Sequence, residues 1–183
     1  GLGYLEAVEE KDILAIASAQ KALGFNGRPN YVADDATFTR KLGRFGWKAN
    51  QPSIKQQVAA AHLGDIGVTT SLYPDQDCSP KQKACFDSVS KYAKPELTDA
   101  AWEAVNFFMR ATDAPRSRLH QDPQTERGEQ LFAQLQCAVC HVPTLKTGSY
   151  PALPAIEHKT FSAYTDRSEE HTSELQSLRH LVC

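Results

Sequence analysis

Apolar positions in the first half of the chain follow helical spacing in two places and strand spacing in one. Residues 5–19 carry apolar side chains every three or four positions, which predicts one or two short helices. Residues 31–49 alternate apolar and polar side chains around two glycines, so we expect a small β-hairpin there. Ser53 followed by Gln56 resembles a capping box and predicts a helix to about Leu63.

Two more helices are predicted further along. Thr98 is a suitable cap for a helix with apolar side chains on one face. Residues 125–135 should form another helix, which leads directly into Cys137. Residues 113–123 contain two prolines and two arginines and are typical of a linker. The fold class predicted from these patterns is mainly α with a small hairpin.

Composition excludes some partners. Of the 183 residues, 41% are hydrophobic and 23% are charged, as in ordinary globular proteins. A net charge of -2 gives no reason to expect nucleic acid or a membrane surface as a partner. The chain has no apolar run near the roughly 20 residues of a membrane-spanning helix.

Residues 167–183 resemble the translation of a short-read sequencing adapter, and we expect this tail to be non-native. The alternatives are a natural amphipathic helix or a natural polar tail. The start has neither an initiator Met nor a signal peptide, and the natural sequence stops abruptly at Asp166 before the tail, so we expect it to be truncated at both ends. Outside the tail, the four cysteines fall into two pairs.

The pentapeptide Cys137-Ala138-Val139-Cys140-His141 has the spacing of covalent haem c attachment. Thiols three residues apart reach two vinyl groups at one porphyrin edge, and His141 would be the proximal iron ligand. A zinc ribbon would need a second similar pair, which Cys78 and Cys85 match poorly. A thioredoxin-type pair should follow a strand rather than a helix. A zinc-binding or thiol-redox protein remains the minor alternative.

Several blocks around this motif occur together in one known family. They are Gly27-Arg28-Pro29-Asn30, Leu42-Gly43-Arg44-Phe45-Gly46-Trp47-Lys48-Ala49, Gly67-Val68-Thr69-Thr70, Pro95-Glu96-Leu97 and Gly128-Glu129-Gln130-Leu131-Phe132. With them, the chain resembles the bacterial di-haem oxidoreductases, which include thiol oxidoreductase-like proteins and di-haem peroxidases. The last block is similar to the first helix of cytochrome c domains.

The resemblance implies a mainly α, periplasmic or otherwise exported c-type cytochrome. Residues 1–122 would be the helical segment with a hairpin that lies between two haems, and residues 123–166 an incomplete cytochrome c-like domain. One haem c would bind here, and a second would bind to an upstream motif of the full-length parent that this sequence lacks. The implied function is electron transfer with a redox partner protein or a small donor or acceptor. The alternative is peroxide reduction by the parent, with this fragment inactive alone.

Cys78 and Cys85 flank a polar segment, and we expect them to form a disulfide, because haem c matures in a compartment where disulfides persist. The alternative is two separate thiols.

Four other side chains have both a functional and a structural interpretation. Trp47 would either relay electrons between haems or anchor the hairpin by packing. Arg44 and Lys48 would either pair with haem propionates or be solvated. Met109 would be an iron ligand or, on its helical stripe, a core residue.

Three histidines lie outside the motif in the natural part of the chain. His62 and His120 are expected at the surface or at caps, and His158 is a candidate for the distal ligand of the iron.

Overall fold

The computed structural model describes residues 1–88, 95–114 and 122–165 and has a mainly α architecture. The helices in these ranges are α1 (Leu2–Glu6), α2 (Glu10–Ala22), α3 (Ile54–Ile66), α4 (Lys83–Ser88), α5 (Asp99–Ala111) and α6 (Pro123–Gln134). The strands are β1 (Tyr31–Asp34), β2 (Thr39–Leu42), β3 (Thr144–Lys146) and β4 (Thr160–Ser162). Short 3-10 turns occupy Trp47–Ala49, Cys137–Val139 and Pro154–Ile156. Within the described ranges, no helix has both the length and the apolar character needed to cross a membrane.

Side-chain caps explain where α3, α5 and α6 begin. Ser53 Oγ accepts a hydrogen bond from the backbone N–H of Gln56 at the start of α3, as the sequence predicted. Thr98 likewise caps α5. Helix α6 starts earlier than predicted, because Asp122 is its cap and Pro123 occupies its first turn, where a missing N–H costs nothing. Pro123 therefore belongs to the helix rather than to the linker.

Two antiparallel hairpins interrupt the helices. The predicted hairpin is confirmed as β1–β2, with Tyr31 opposite Leu42 and Asp34 opposite Thr39. It is shorter than residues 31–49, since the chain after Leu42 leaves the sheet. The second hairpin, β3–β4, has three residues in each strand and pairs Thr144 with Ser162. A strand of three residues shows too little alternation of apolar and polar side chains to be recognised in a sequence.

The first hydrophobic core lies between α3 and α5. It is built from the buried side chains of Phe45, Ile54, Val58, Ala59 and Trp102. Met109 packs against this cluster, so the structure supports its role as a core residue rather than an iron ligand. Phe45, rather than Trp47, anchors the segment after the hairpin, because Phe45 is buried while Trp47 is 56% exposed.

A second core joins the beginning of the chain to its later part. Val8, Ile13, Leu42 and Leu145 form this cluster, and Leu145 lies in β3. The backbone N–H of Gly148 also donates to the carbonyl of Ala7 at 2.8 Å. Segments on both sides of residue 122 thus share buried apolar surface.

A carboxylate ties three parts of the fold together. Glu6 Oε1 accepts from the backbone N–H of Ile54 at 2.7 Å, and Oε2 accepts from Arg110 Nε at 2.8 Å. The hydroxyl of Tyr150 donates to the same Oε2. Burial, followed by this hydrogen bond to Glu6, raises the pKa of the Tyr150 hydroxyl, so it remains a donor at physiological pH.

Candidate haem site

The Cys-x-x-Cys-His motif forms a compact turn directly after α6. Gln136 adopts a positive φ of 60° and ends the helix, and Cys137–Val139 form a 3-10 turn. The backbone N–H of His141 donates to the carbonyl of Cys137 at 2.8 Å and closes the turn. The side chains of Cys137, Cys140 and His141 are all partly exposed, and the two cysteines are not joined to each other by a disulfide. One turn therefore presents two thiols and an imidazole toward accessible space.

The structure fixes the tautomer of His141. Its Nδ1 lies 3.2 Å from the backbone carbonyl oxygen of Tyr164. Because a carbonyl oxygen can only accept, Nδ1 must carry the hydrogen in this contact. In a neutral imidazole, Nε2 then keeps its lone pair, which is the form that binds a metal. Phe132 stands edge-on to the imidazole with 6.3 Å between ring centroids, which limits how the ring can rotate.

Apolar side chains remain exposed beside the motif. Helix α6 has no buried residue, and its Leu131 and Leu135 are 42% and 71% exposed. From α2, Gln20 Nε2 donates to the carbonyl of Val139 at 2.7 Å and holds the motif turn against the rest of the protein. Two thiols, a metal-binding imidazole and adjacent apolar surface are the features that a covalently held porphyrin needs, so these residues fit haem c.

The geometry is less suitable for the two alternatives to haem. Cys78 and Cys85 are joined by a disulfide with 5.8 Å between their Cα atoms, so these sulfurs do not serve as zinc ligands. The Cys137–Cys140 pair follows a helix and precedes the strand β3, whereas a thioredoxin-type pair follows a strand and opens a helix. Among the described residues, no group of three or more His, Cys, Asp or Glu side chains is arranged to hold a metal ion.

The structure does not bring His158 to the motif. His141 precedes the open end of the β3–β4 hairpin. His158 lies in the loop just before β4, at the opposite end of the hairpin, where its backbone N–H donates to the carbonyl of Gly148 at 3.2 Å. His62 Nδ1 lies 2.8 Å from the carbonyl oxygen of Val58 in its own helix. His120 lies outside the described residues.

Arg44 and Lys48, the two basic residues considered as partners of haem propionates, have different surroundings. Lys48 is exposed, with a positive φ of 59°. Arg44 instead donates through Nη1 to the carbonyls of Leu5 and Val8, at 3.2 and 2.6 Å. Burial lowers the pKa of the Arg44 guanidinium. Arg44 is therefore a packing residue at the end of α1, not the solvated hairpin charge that the sequence suggested.

Sequence reasoning missed two residues that contact the motif. Tyr164 acts through its backbone carbonyl, which every residue type possesses, so its identity carries no signal. Gln20 lies on α2, more than a hundred positions before Val139, and only the folded chain shows that they meet.

A mainly α chain with a Cys-x-x-Cys-His turn at the end of a helix has the architecture and donor set of a haem protein. Residues 1–172 match the family described as "Di-haem oxidoreductase, putative peroxidase", and the chain belongs to this family. The match ends within residues 167–183, so the non-native origin of that segment remains a prediction. Comparisons with curated proteins and with solved structures gave no match.

Proposed function

We propose that Cys137, Cys140 and His141 bind one haem c and that the chain transfers electrons within an exported di-haem oxidoreductase. The observation that carries this proposal is that Nδ1 of His141 contacts a backbone carbonyl, which leaves Nε2 able to bind iron beside two thiols on the same turn. The Cys78–Cys85 disulfide supports an exported, periplasmic location, since such bonds persist in oxidising compartments. In this proposal residues 1–122 lie between the two haems of the parent, and residues 123–166 begin its C-terminal cytochrome c domain.

The covalent step needs no oxidant. Cys137 and Cys140 would hold the haem by adding their thiols across its two vinyl groups. Each addition would form a carbon–sulfur bond, place the thiol hydrogen on the other vinyl carbon and reduce the double bond to a single bond, with no net loss or gain of electrons. When bound, haem supplies an iron that accepts one electron from a redox partner and passes it to an acceptor. His141 contributes the lone pair of Nε2, and Phe132 and Tyr164 hold its ring in place.

Haem staining tests the proposal directly. We expect the full chain, made behind a periplasmic signal with the cytochrome c maturation machinery, to keep haem on a denaturing gel. The double variant C137A/C140A should lose the stain, because both thioethers are gone. The double variant C78A/C85A is the matched control and should keep it. A blank lane for the unaltered chain, with zinc found by metal analysis, would contradict the proposal and favour a zinc site.

Peroxide reduction is the second candidate, favoured by the family description. In that reaction hydrogen peroxide takes up two electrons from the redox partner and two protons, and it leaves as two waters. The position of His158, at the far end of the hairpin, is consistent with an iron face that small ligands can reach. We expect the ferric protein to bind added imidazole or cyanide readily. A low-spin ferric spectrum that disappears in H158A would show instead that His158 is the distal ligand.

A further inference from the structure

The backbone beside His141 has an unusual conformation at one residue. Tyr164 has a φ of 49°, in the left-handed region that bulky side chains seldom adopt. Such a conformation persists only where the surroundings impose it, and it is found disproportionately at functional sites.

Hydrogen bonds on both sides fix this residue. The backbone N–H of Ala163 donates to the carbonyl of Pro143 at 2.8 Å, and that of Thr165 donates to the carbonyl of Val142 at 3.1 Å. The short strap 163–165 is therefore attached to the two residues that directly follow His141. With both neighbours held, the left-handed backbone of Tyr164 orients its carbonyl, whose oxygen lies 3.2 Å from His141 Nδ1.

The tyrosine ring is held as well. It packs edge-on against Phe132, with 5.4 Å between the ring centroids and 85° between the planes. Phe132 also contacts the imidazole of His141, so the three rings form one cluster. The ring contact and the hydrogen bonds of the strap contribute separately to the position of Tyr164, so each can be tested by substitution.

We propose that the left-handed backbone of Tyr164 aims its carbonyl at His141 and thereby sets how strongly this imidazole donates electrons to the haem iron. This inference rests on the proposed haem site. A carbonyl that accepts from Nδ1 shifts electron density toward Nε2 and makes the ligand more basic. A more basic axial ligand stabilises the ferric state and lowers the reduction potential. Tyr164 is a positioning residue, since it acts through His141.

Four substitutions separate the backbone from the ring. Y164G and Y164N tolerate positive φ but lose the ring, whereas Y164V and Y164P disfavour positive φ and also lose it. Y164F keeps the ring and serves as the control. If the Tyr164 carbonyl influences the iron, the reduction potentials of the haem-loaded variants should depend on whether residue 164 tolerates a positive φ. We expect the Gly, Asn and Phe variants to stay near the unaltered chain and the Val and Pro variants to be higher.

The expected size follows from the usual influence of groups that hydrogen-bond a ligating histidine. Loss of such a group changes metal affinity or activity by about 10–100-fold. If the ferric form alone is weakened by the lower figure, the ferric–ferrous equilibrium changes tenfold and the potential rises by about 59 mV for one electron. The C–O stretching frequency of the ferrous carbon monoxide adduct provides a second readout, and it should rise in Y164V and Y164P as the imidazole donates less.

Three outcomes would overturn the inference. Equal potentials and stretching frequencies in all haem-loaded variants would show that the carbonyl has no influence. A shift shared by the Gly, Asn, Val and Pro variants, with only Y164F unchanged, would assign the effect to the ring. Absence of covalent haem from the unaltered chain would overturn the proposed function itself, which haem staining distinguishes from the other two results.

Discussion

Asn106 is fully buried on α5, yet neither its amide nitrogen nor its amide oxygen has a hydrogen-bond partner among the described residues. Within the same part of the chain, the buried indole N–H of Trp102, one turn earlier on the helix, also has no hydrogen-bond partner. A buried polar group left without a hydrogen bond costs about 1–3 kcal/mol. Asn106 therefore lowers the stability of the core between α3 and α5.

Replacing Asn106 with leucine should raise the free energy of unfolding by about 1 kcal/mol, because the new side chain is similar in size and has no polar atom to desolvate. Urea denaturation of the two proteins measures the difference. N26L, at an exposed position, should change stability by less than about 0.5 kcal/mol. A marked loss of stability in N106L alone would mean that the amide has a partner, such as an internal water.

At the scale of single elements, the β1–β2 hairpin depends on the charge of Asp34. Its Oδ1 accepts from the backbone N–H groups of Ala36 and Thr37, and its Oδ2 pairs with Lys41 on the opposite strand. Burial alone would raise the pKa of Asp34. The Lys41 ion pair and the backbone donors outweigh burial and hold the pKa below its ordinary value.

The sign of the pH dependence follows from that shift. Because the folded pKa lies below the unfolded pKa of about 4, ionised Asp34 stabilises the fold above pH 4. This contribution disappears as the pH falls through the folded pKa. D34N should therefore be less stable than the unaltered chain at pH 7, and the difference should shrink at pH 2–3. Urea midpoints at the two pH values test this; an unchanged difference would show that the charge is not the cause.

At the scale of the whole molecule, the two predicted units share their second core. Leu145 follows the haem motif, yet it packs with Val8, Ile13 and Leu42 from the beginning of the chain. The Tyr150 hydroxyl adds a polar connection between the same regions, because it donates to the Glu6 carboxylate that also pairs with Arg110. Unfolding of one region should therefore remove buried surface from the other.

Truncating Leu145 tests that coupling. L145A should lower the free energy of unfolding by about 2–4 kcal/mol. The loss should be visible in tryptophan fluorescence, since Trp47 and Trp102 both belong to the first region. K146A, at an exposed position on the same strand, is the control and should have little effect. A tryptophan transition that does not move in L145A would indicate that the regions unfold independently.

Local features of this protein were predictable because short stretches of sequence determine them. The caps Ser53 and Thr98 act within three residues, and the β1–β2 hairpin brings together neighbouring segments. The spacing of Cys137, Cys140 and His141 is likewise a local pattern, and the proposed haem site was inferred from it without reference to the rest of the chain.

The sequence by itself thus determined the fold class, the main helices, the first hairpin and the haem motif. Only the tertiary structure decided that Arg44 is half-buried against the end of α1, that His158 lies away from the motif, and that the carbonyl of Tyr164 contacts His141. These outcomes depend on contacts between residues far apart in sequence. Hydrophobic periodicity identifies which side chains are buried, but it does not identify the distant segment against which each of them packs.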